Sequence, residues 1–243
     1  MNALLLAIQF LPILPATTSS EPTEQEVGGS LLWYGVVGLL VGLLLSLLAW
    51  VLHHWVSHLV AAGILLGIWV TLTGALHLDG LADCADAWSG GRQSRHRTFE
   101  IMTDPHIGAV GVVALVVQLI LKFAALAVLL DSHAIMLLLV APAMARVAVQ
   151  VLIVTTPYAK DHGLGKALAD HHQPDLIWLV VLAALIVAWI IGGWSFVVAL
   201  MFSGLILLGL RHMMMNRLLG FTGDTAGATI EIIELVVLFA LTI

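Results

Sequence analysis

The chain alternates between long apolar runs and short polar segments. Apolar runs of membrane-spanning length occupy residues 31–52, 56–76, 107–130, 134–155 and 226–243. A further run, 176–210, exceeds the roughly 20 residues that cross about 30 Å of hydrocarbon, and Gly192-Gly193 divides it into two short spans. The pattern therefore predicts seven transmembrane helices.

The N-terminus departs from this pattern. Residues 3–14 are apolar but too few to span, and prolines interrupt their end, so we expect an interfacial or re-entrant helix there. A signal peptide would require a Lys or Arg before this apolar run, and none is present, so we do not expect a signal peptide. The stretch 17–30 is polar and predicts a linker. We expect a single polytopic membrane domain, with an N-terminal segment over 1–30 and a helical bundle over 31–243.

Composition supports this assignment. Hydrophobic residues make up 61% of the 243 residues and charged residues only 10%, whereas soluble domains carry about 25% charged residues. The formal net charge is −6, and no continuous basic run is present, which argues against a nucleic-acid partner. We therefore expect an all-α integral membrane protein in contact with membrane lipid. The sequence leaves the oligomeric state open, a homo-oligomer included.

The basic residues orient the predicted helices. Seven of the nine Lys and Arg fall in three loops, 77–106, 156–175 and 211–225, which a seven-span topology places on one side. The positive-inside rule makes that side cytoplasmic. Of the fifteen Asp and Glu, only Asp131 then falls on the external side. We therefore expect the polar chemistry at the cytoplasmic face.

The densest polar motif is His77-Leu-Asp79-Gly-Leu-Ala-Asp83-Cys-Ala-Asp86. On a helix its aspartates stand at i, i+4 and i+7 and share one face, where the carboxylates repel each other. A divalent cation removes that repulsion, and oxygen ligands with positions open for substrate phosphates favour Mg²⁺. The alternative is a solvated acidic face. Because the opposite face is apolar and a predicted span leads into it, we predict a cytoplasmic-side acidic helix that binds metal.

The next motif runs from Glu100 to Gly111 and enters the third predicted span. Asp104, which precedes Pro105, is placed to cap that helix, and the small residues Gly108 and Gly111 allow a close helix approach. Capping alone explains much of this motif.

Four ionisable residues lie inside predicted spans: Lys122, Arg146, Glu231 and Glu234. A charge at the bilayer centre costs roughly 2.5–3.5 kcal/mol, so none should face lipid. We expect Lys122 to pair structurally or to line a deep cavity, and Arg146 is the better candidate for an anionic substrate group. The two glutamates share a helix face with Asp224, and they need Arg146, Lys122 or a shared cation as partner.

These motifs, in order over residues 77–234, resemble the cobalamin synthase family, whose members are also called adenosylcobinamide-GDP ribazoletransferases. The first and last motifs carry most of the resemblance. The segments that match are 77–86, Glu100-Ile-Met-Thr-Asp104 with Ile107-Gly108, Tyr158-Ala-Lys-Asp-His-Gly163-Leu-Gly165, and Thr222-Gly-Asp-Thr225 with Gly227-Ala228 and Glu231…Glu234.

The resemblance implies a reaction, a cofactor and a location. A hydroxyl of α-ribazole, or of its 5′-phosphate, attacks the cobinamide-bearing phosphorus of adenosylcobinamide-GDP, and GMP leaves. The nucleotide loop of the corrinoid is then complete, and the implied cofactor is Mg²⁺. The implied location is a prokaryotic cell (inner) membrane, crossed several times, with the active site facing the cytoplasm.

The residues then take expected roles. Asp79 and Asp83 would hold Mg²⁺ against the pyrophosphate, and Asp86 would be a further ligand or the base that takes the nucleophile's proton. The predicted catalytic set is Asp79, Asp83, Asp86 and His77, and the predicted metal ligands are Asp79, Asp83, Asp86 and Asp224. The predicted substrate-binding residues are Asp104, Arg146, Lys166, Thr222, Gly223, Glu231 and Glu234.

The chain departs from the family's pattern at two anion contacts. Ile13-Leu14-Pro15 stands where a Thr-Arg-Leu-Pro-like stretch is usual in the family. His106 stands where the family usually has a basic residue, directly after the pair Asp104-Pro105.

Two other classes of protein stay open. CDP-alcohol phosphotransferases also use aspartates around an Asp-Gly-x-Ala core, although Asp83 here replaces their Arg. A polytopic ion or corrinoid transporter would also bury acidic residues, but we find no convincing internal repeat.

Overall fold

The computed structural model describes residues 3–10, 22–91, 94–132 and 134–242. These residues are mostly helical, and the described part of the chain holds no strand beyond one isolated bridge. The helices are α1 Ala3–Phe10, α2 Glu24–Ser30, α3 Tyr34–Leu52, α4 His58–Leu72, α5 Leu76–Gly90, α6 Arg95–Met102, α7 Ala109–Asp131, α8 Val140–Thr155, α9 Leu164–His171, α10 Pro174–Leu218 and α11 Gly223–Ala240. The predicted all-α fold is confirmed.

Several of these helices can cross a membrane. In the described part of the chain, four stretches are long and apolar enough to do so: Glu24–Leu52, Ala109–Asp131, Ile135–Thr155 and Pro174–Leu218. The bent pair formed by α4 and α5, with an angle of 86° between the two helices, is a fifth candidate. The multi-span architecture is confirmed, and the count of seven stays a prediction.

The longest helix, α10, is divided where the sequence predicts a division. As one straight helix its 45 residues would extend roughly 68 Å, about twice the thickness of the hydrocarbon layer. At Gly193 the backbone leaves the helical region, with φ 55° and ψ −131°. A side chain would be strained there, so glycine is required. Residues 174–192 and 194–218 therefore form two separate helices.

The polar stretch before the first span is helical from Glu24 onwards. The Thr23 hydroxyl accepts the backbone N–H of Glu26 at 3.3 Å, and the Glu26 carboxylate accepts the N–H of Thr23 at 3.0 Å. This capping box starts α2, which continues through a short 3-10 turn into α3. The linker prediction is therefore wrong over 24–30, because a capping box starts a helix even where the residues are polar. Residues 11–21 lie outside the described part.

The three loops predicted to share a membrane face contact one another. Arg95 in the first loop donates through Nη2 to the carbonyl oxygen of Ala159 in the second, at 3.0 Å. Arg217 in the third donates through Nε to Thr98 Oγ1 in the first, at 2.8 Å. All three loops therefore lie at one end of the bundle, and the identity of that end as cytoplasmic stays a prediction.

The centre of the bundle is formed by α8 and α11. Most of α8 is buried, whereas α10 is exposed over much of its surface. α11 packs against α5, α7, α8 and α10, and Glu231 and Glu234 on it are buried. Because α11 is surrounded by other helices, its acidic side chains meet protein rather than lipid.

Candidate active site

The first and last sequence motifs meet where α5 crosses the start of α11. A Cβ atom on Gly80 would lie 2.6 Å from the backbone oxygen of Asp224, closer than real Cβ contacts come. Only glycine lets the two backbones approach this closely. The crossing therefore brings Asp79 and Asp83 of α5 next to Asp224 of α11.

The carboxylates at this crossing repel one another. Asp79 is exposed, while Asp83 and Asp224 are partly buried. The charges of Asp79, Asp224 and Asp86 all act on the Asp83 carboxylate. Such a cluster of like charges is stabilised by a bound cation.

The donor set suits an ion that needs few protein ligands. Within the described ranges, no three His, Cys, Asp or Glu side chains are arranged to hold a metal by themselves. Mg²⁺ usually takes one or two carboxylates and completes its octahedral shell with water and substrate phosphates. Two neighbouring carboxylates, with water and substrate phosphates at the other coordination positions, therefore suit this ion.

Asp86 is engaged with the start of α7. Its Oδ2 accepts the backbone N–H of Gly108 at 2.6 Å, and its Oδ1 accepts the N–H of Gly111 at 2.9 Å. A carboxylate in this position satisfies free N–H groups and complements the helix dipole. Asp86 therefore joins α5 to α7. The prediction that Asp104 caps this helix is wrong, because the tertiary contact of α5 places Asp86 there first.

Asp104 lies in the turn between α6 and α7, with its side chain 53% exposed. Its Oδ1 accepts the backbone N–H of His106 at 3.0 Å and lies 2.8 Å from Nδ1 of the same residue. The backbone hydrogen bond from His106, followed by the bond with its ring, holds the pKa of Asp104 below its usual range. Its role in substrate binding stays a prediction.

Asp224 lies in the first turn of α11, which has its own capping box. The Thr222 hydroxyl accepts the N–H of Thr225 at 3.2 Å, and the Thr225 hydroxyl accepts the N–H of Thr222 at 2.8 Å. Lys160 Nζ lies 3.8 Å from Asp224 Oδ2. A cation from a distant loop therefore stands beside the carboxylates.

The loop that carries Lys160 is fixed against the start of α11. The Ala159 N–H donates to the carbonyl oxygen of Phe221 at 2.8 Å, and the Tyr158 and Phe221 rings meet edge to face at 5.2 Å. Burial and then the Asp224 charge raise the pKa of the Tyr158 hydroxyl. Lys160 is not among the predicted substrate-binding residues. It lies inside the third motif, which runs from Tyr158 to Gly165, and its place in that motif is the sequence signal that could have identified it.

A second polar cluster lies inside the bundle and is electrically balanced. Lys122 Nζ lies 2.8 Å from Glu231 Oε2 and 2.5 Å from Glu234 Oε2, and Arg146 forms an ion pair with Glu234. The four charged side chains are at most 3% exposed. Two cations and two anions neutralise each other, which makes their burial tolerable. The expected pairing is confirmed, and the substrate contacts of Arg146, Glu231 and Glu234 stay predictions.

Lys166, the other predicted substrate-binding cation, lies on α9. Its Nζ lies 2.8 Å from Asp170 Oδ2 one turn along the same helix, and this pair raises the pKa of Lys166. By contrast, Thr222 and Gly223 directly precede Asp224 at the crossing. The structure therefore gathers part of the predicted substrate set beside the carboxylates and places Lys166 in a local pair.

These features define a class, namely a polytopic all-α membrane protein with a carboxylate site at one end of its bundle. The sequence model of the family described as cobalamin-5-phosphate synthase matches residues 3–242. The chain belongs to this family and is a transferase.

Relatives match over almost the whole chain. An adenosylcobinamide-GDP ribazoletransferase of Pseudomonas fluorescens (strain Pf0-1) is 45% identical over 244 residues, which cover 99% of each chain. That of Pseudomonas putida (strain KT2440) is 48% identical over 236 residues, covering 97% of this chain and 96% of the relative. That of Acinetobacter baumannii is 40% identical over 239 residues, covering 98% and 96%. No solved structure matches the chain.

Proposed function

We propose that this protein joins adenosylcobinamide-GDP to α-ribazole, or to α-ribazole 5′-phosphate, and releases GMP. The observation that carries the proposal is the meeting of Asp79 and Asp83 with Asp224 at the Gly80 crossing. The names of the relatives, which are 40–48% identical to this chain, support the choice of substrates.

The reaction is a phosphoryl transfer with a nucleotide leaving group. The ribazole hydroxyl oxygen forms a bond to the phosphorus that bears cobinamide. The bond from that phosphorus to the bridging oxygen breaks, and GMP leaves with the bridging oxygen. The hydroxyl proton passes to a base or to water. In such a reaction the protein contributes mainly positioning and neutralisation of charge.

Two of the three carboxylates at the crossing, those of Asp79, Asp83 and Asp224, are the proposed Mg²⁺ ligands. When bound there, the ion would supply positive charge for the pyrophosphate oxygens. Lys160, which lies 3.8 Å from Asp224, is placed to contact the same phosphates. Asp86, whose two oxygens already accept N–H groups of α7, would act by holding α5 in position.

We place the GDP end of the donor in an open cavity of about 770 Å³ that Lys160 lines. Arg95, Phe99 and His162 also line this cavity, and the Arg95 guanidinium lies 5.5 Å from the centre of the Phe99 ring. Cationic side chains suit the phosphates, and an aromatic face suits a purine base. This surface is therefore where we place the nucleotide.

The test is synthesis by the purified protein in liposomes that contain adenosylcobinamide-GDP, α-ribazole and Mg²⁺. GMP and the completed corrinoid should appear in equal amounts, EDTA should stop both, and added Mg²⁺ should restore them. The Asp79→Asn/Asp83→Asn double variant is the control for contaminating activity. Transfer from CDP-diacylglycerol to an alcohol, with no corrinoid product, would replace this proposal with the CDP-alcohol phosphotransferase class. Corrinoid uptake without synthesis would indicate a transporter.

A further inference from the structure

A second cavity, of about 210 Å³, lies beside the same helix crossing. Its walls come from several helices and are mostly apolar, with Ile153, Leu168 and Phe221 among the lining side chains. It shares two residues with the motifs of the site. Gly223 directly precedes Asp224, and His77 lies two residues before Asp79. The cavity therefore lies beside the first turns of α5 and α11, which are the turns that also carry Asp79 and Asp224.

His77 is the feature of this cavity that points to a ligand. Its side chain is only 5% exposed, and its Nδ1 has no hydrogen-bond partner among the described residues. The backbone at His77 packs closely against α11, because a Cβ on Gly227 would lie only 3.3 Å from His77 Cα. A buried polar atom without a partner is uncommon and usually marks the place of a ligand atom or a water molecule.

Size and chemistry identify the class of ligand. An apolar cavity of about 150 Å³ holds one benzene ring, so this larger cavity has room for a bicyclic aromatic ring. None of the described side chains that line it is Lys or Arg, which disfavours a phosphate group. A benzimidazole that carries ribose on one nitrogen has two apolar faces and one remaining nitrogen with a free lone pair. That nitrogen can accept a hydrogen bond from a neutral imidazole protonated at Nδ1.

We propose that this cavity binds the aromatic base of α-ribazole, with His77 donating a hydrogen bond from Nδ1 to the free ring nitrogen. This inference rests on the proposed function, because it names the subsite for the acceptor nucleoside. The ribose then lies at Gly223, beside Asp224, while the GDP end of the donor lies on the Lys160 side of the same carboxylate. The two substrates thus approach the metal ligands from separate cavities.

Two matched alanines on α11 provide the test. Ala226 lines this cavity, whereas Ala228, two residues further along the helix, lines a separate apolar groove with Leu81 and Trp88. Ala226→Leu should raise the KM for α-ribazole by roughly 10- to 200-fold, as added bulk does in an apolar substrate pocket. The KM for adenosylcobinamide-GDP should stay within about twofold. Ala228→Leu should leave the KM for α-ribazole unchanged.

Base size adds a readout that general loosening of the fold would not produce. In Ala226→Leu, an imidazole riboside, whose base has a single ring, should lose less affinity than α-ribazole. Lys160→Met should have the reverse effect of Ala226→Leu on the two KM values. It should raise the KM for adenosylcobinamide-GDP and leave the KM for α-ribazole unchanged.

The hydrogen bond is tested at His77 itself. His77→Phe keeps an aromatic ring and removes the donor, and it should weaken α-ribazole binding at least about tenfold. His77→Asn places a donor near the position of Nδ1 and should recover part of that loss. Binding is measured by fluorescence titration of α-ribazole into the purified full-length variants in nanodiscs, so the readout does not depend on turnover.

The outcomes separate the subsite from the function. If the wild-type protein makes the corrinoid but Ala226→Leu and His77→Phe bind α-ribazole normally, the subsite is refuted and the function stands. An equal effect of Ala226→Leu and Ala228→Leu would also refute it. If the wild-type protein makes no corrinoid, the proposed function itself fails. Should Ala226→Leu not fold, the comparison of Phe with Asn at position 77 decides.

Discussion

Gly80 and Asp224 contact each other through their backbones. A Cβ on Gly80 would lie 2.6 Å from the Asp224 carbonyl oxygen and 3.0 Å from its Cα. This contact joins two motifs that are far apart in the sequence, and it sets the distance between the carboxylates of α5 and α11. The site depends on it, because neither helix alone holds the complete set.

Gly80→Ala should therefore separate the two helices and lower turnover by at least about 100-fold, since small misplacements of reacting groups carry such a cost. The added methyl group meets backbone atoms that cannot rotate away, so stability should fall by about 1–3 kcal/mol. The control is Gly67→Ala on α4, where a Cβ would meet nothing within 4 Å. Turnover and thermal unfolding in detergent measure both effects. Full activity of Gly80→Ala would contradict the dependence of the site on this crossing.

Asp79→Asn and Asp83→Asn should each lower the rate about 100- to 1,000-fold, because each substitution removes one negative charge from the proposed metal site while keeping its shape. Expression and membrane insertion should be normal. Raised Mg²⁺ should restore part of the rate, as expected when a ligand is lost. Asp131→Asn, at the end of α7, is the control for removal of one carboxylate elsewhere. Near-normal turnover of both site variants would mean that the aspartates are only a solvated face.

Asp86→Asn should affect helix position more than metal binding. The amide keeps one acceptor oxygen for Gly108 or Gly111, but its NH₂ group then faces the other N–H. We expect a stability loss of about 0.5–2 kcal/mol, as for other helix caps. The Mg²⁺ concentration that gives half-maximal activity should not change. A raised Mg²⁺ requirement would instead support the sequence-based prediction that Asp86 is a ligand.

Lys122→Met should leave the buried cluster with one cation for two glutamates and destabilise the protein by about 3–5 kcal/mol. The double variant Lys122→Met/Glu231→Gln restores electrical balance with Arg146 and Glu234, so it should be more stable than Lys122→Met alone. Thermal unfolding of the wild-type protein, both single variants and the double variant gives the coupling free energy. Additive losses would show that charge balance is not what holds the cluster together.

The orientation proposed for the site is tested by cysteine labelling in a Cys84→Ser background. Ser94→Cys and Asp161→Cys lie in two of the loops that meet at the end of the bundle with the carboxylates, and Ser132→Cys lies at the end of α7. In intact spheroplasts an impermeant maleimide should label only Ser132→Cys. Permeabilisation should expose the other two. Labelling of Ser94→Cys or Asp161→Cys before permeabilisation would invert the proposed topology.

The sequence by itself determined the class of fold and the faces of its helices. Apolar runs of spanning length must be helical, because lipid offers the backbone no hydrogen-bond partners. The break at Gly193 and the shared face of Asp79, Asp83 and Asp86 also follow from local rules of length and periodicity. The start of α2 at Glu24 was equally local, since the capping box of Thr23 and Glu26 is visible in the sequence.

Only the tertiary structure decided which polar groups meet. Asp86 and Asp104 both precede α7 in the sequence, and the packing of α5 against α7 selects Asp86 as its cap. Lys160 comes to lie beside Asp224 in the same way, because its loop is bonded to the segment before α11. Helix periodicity states which face a residue occupies and not which helix covers that face. The choice between partners far apart in sequence therefore depends on how the helices pack together.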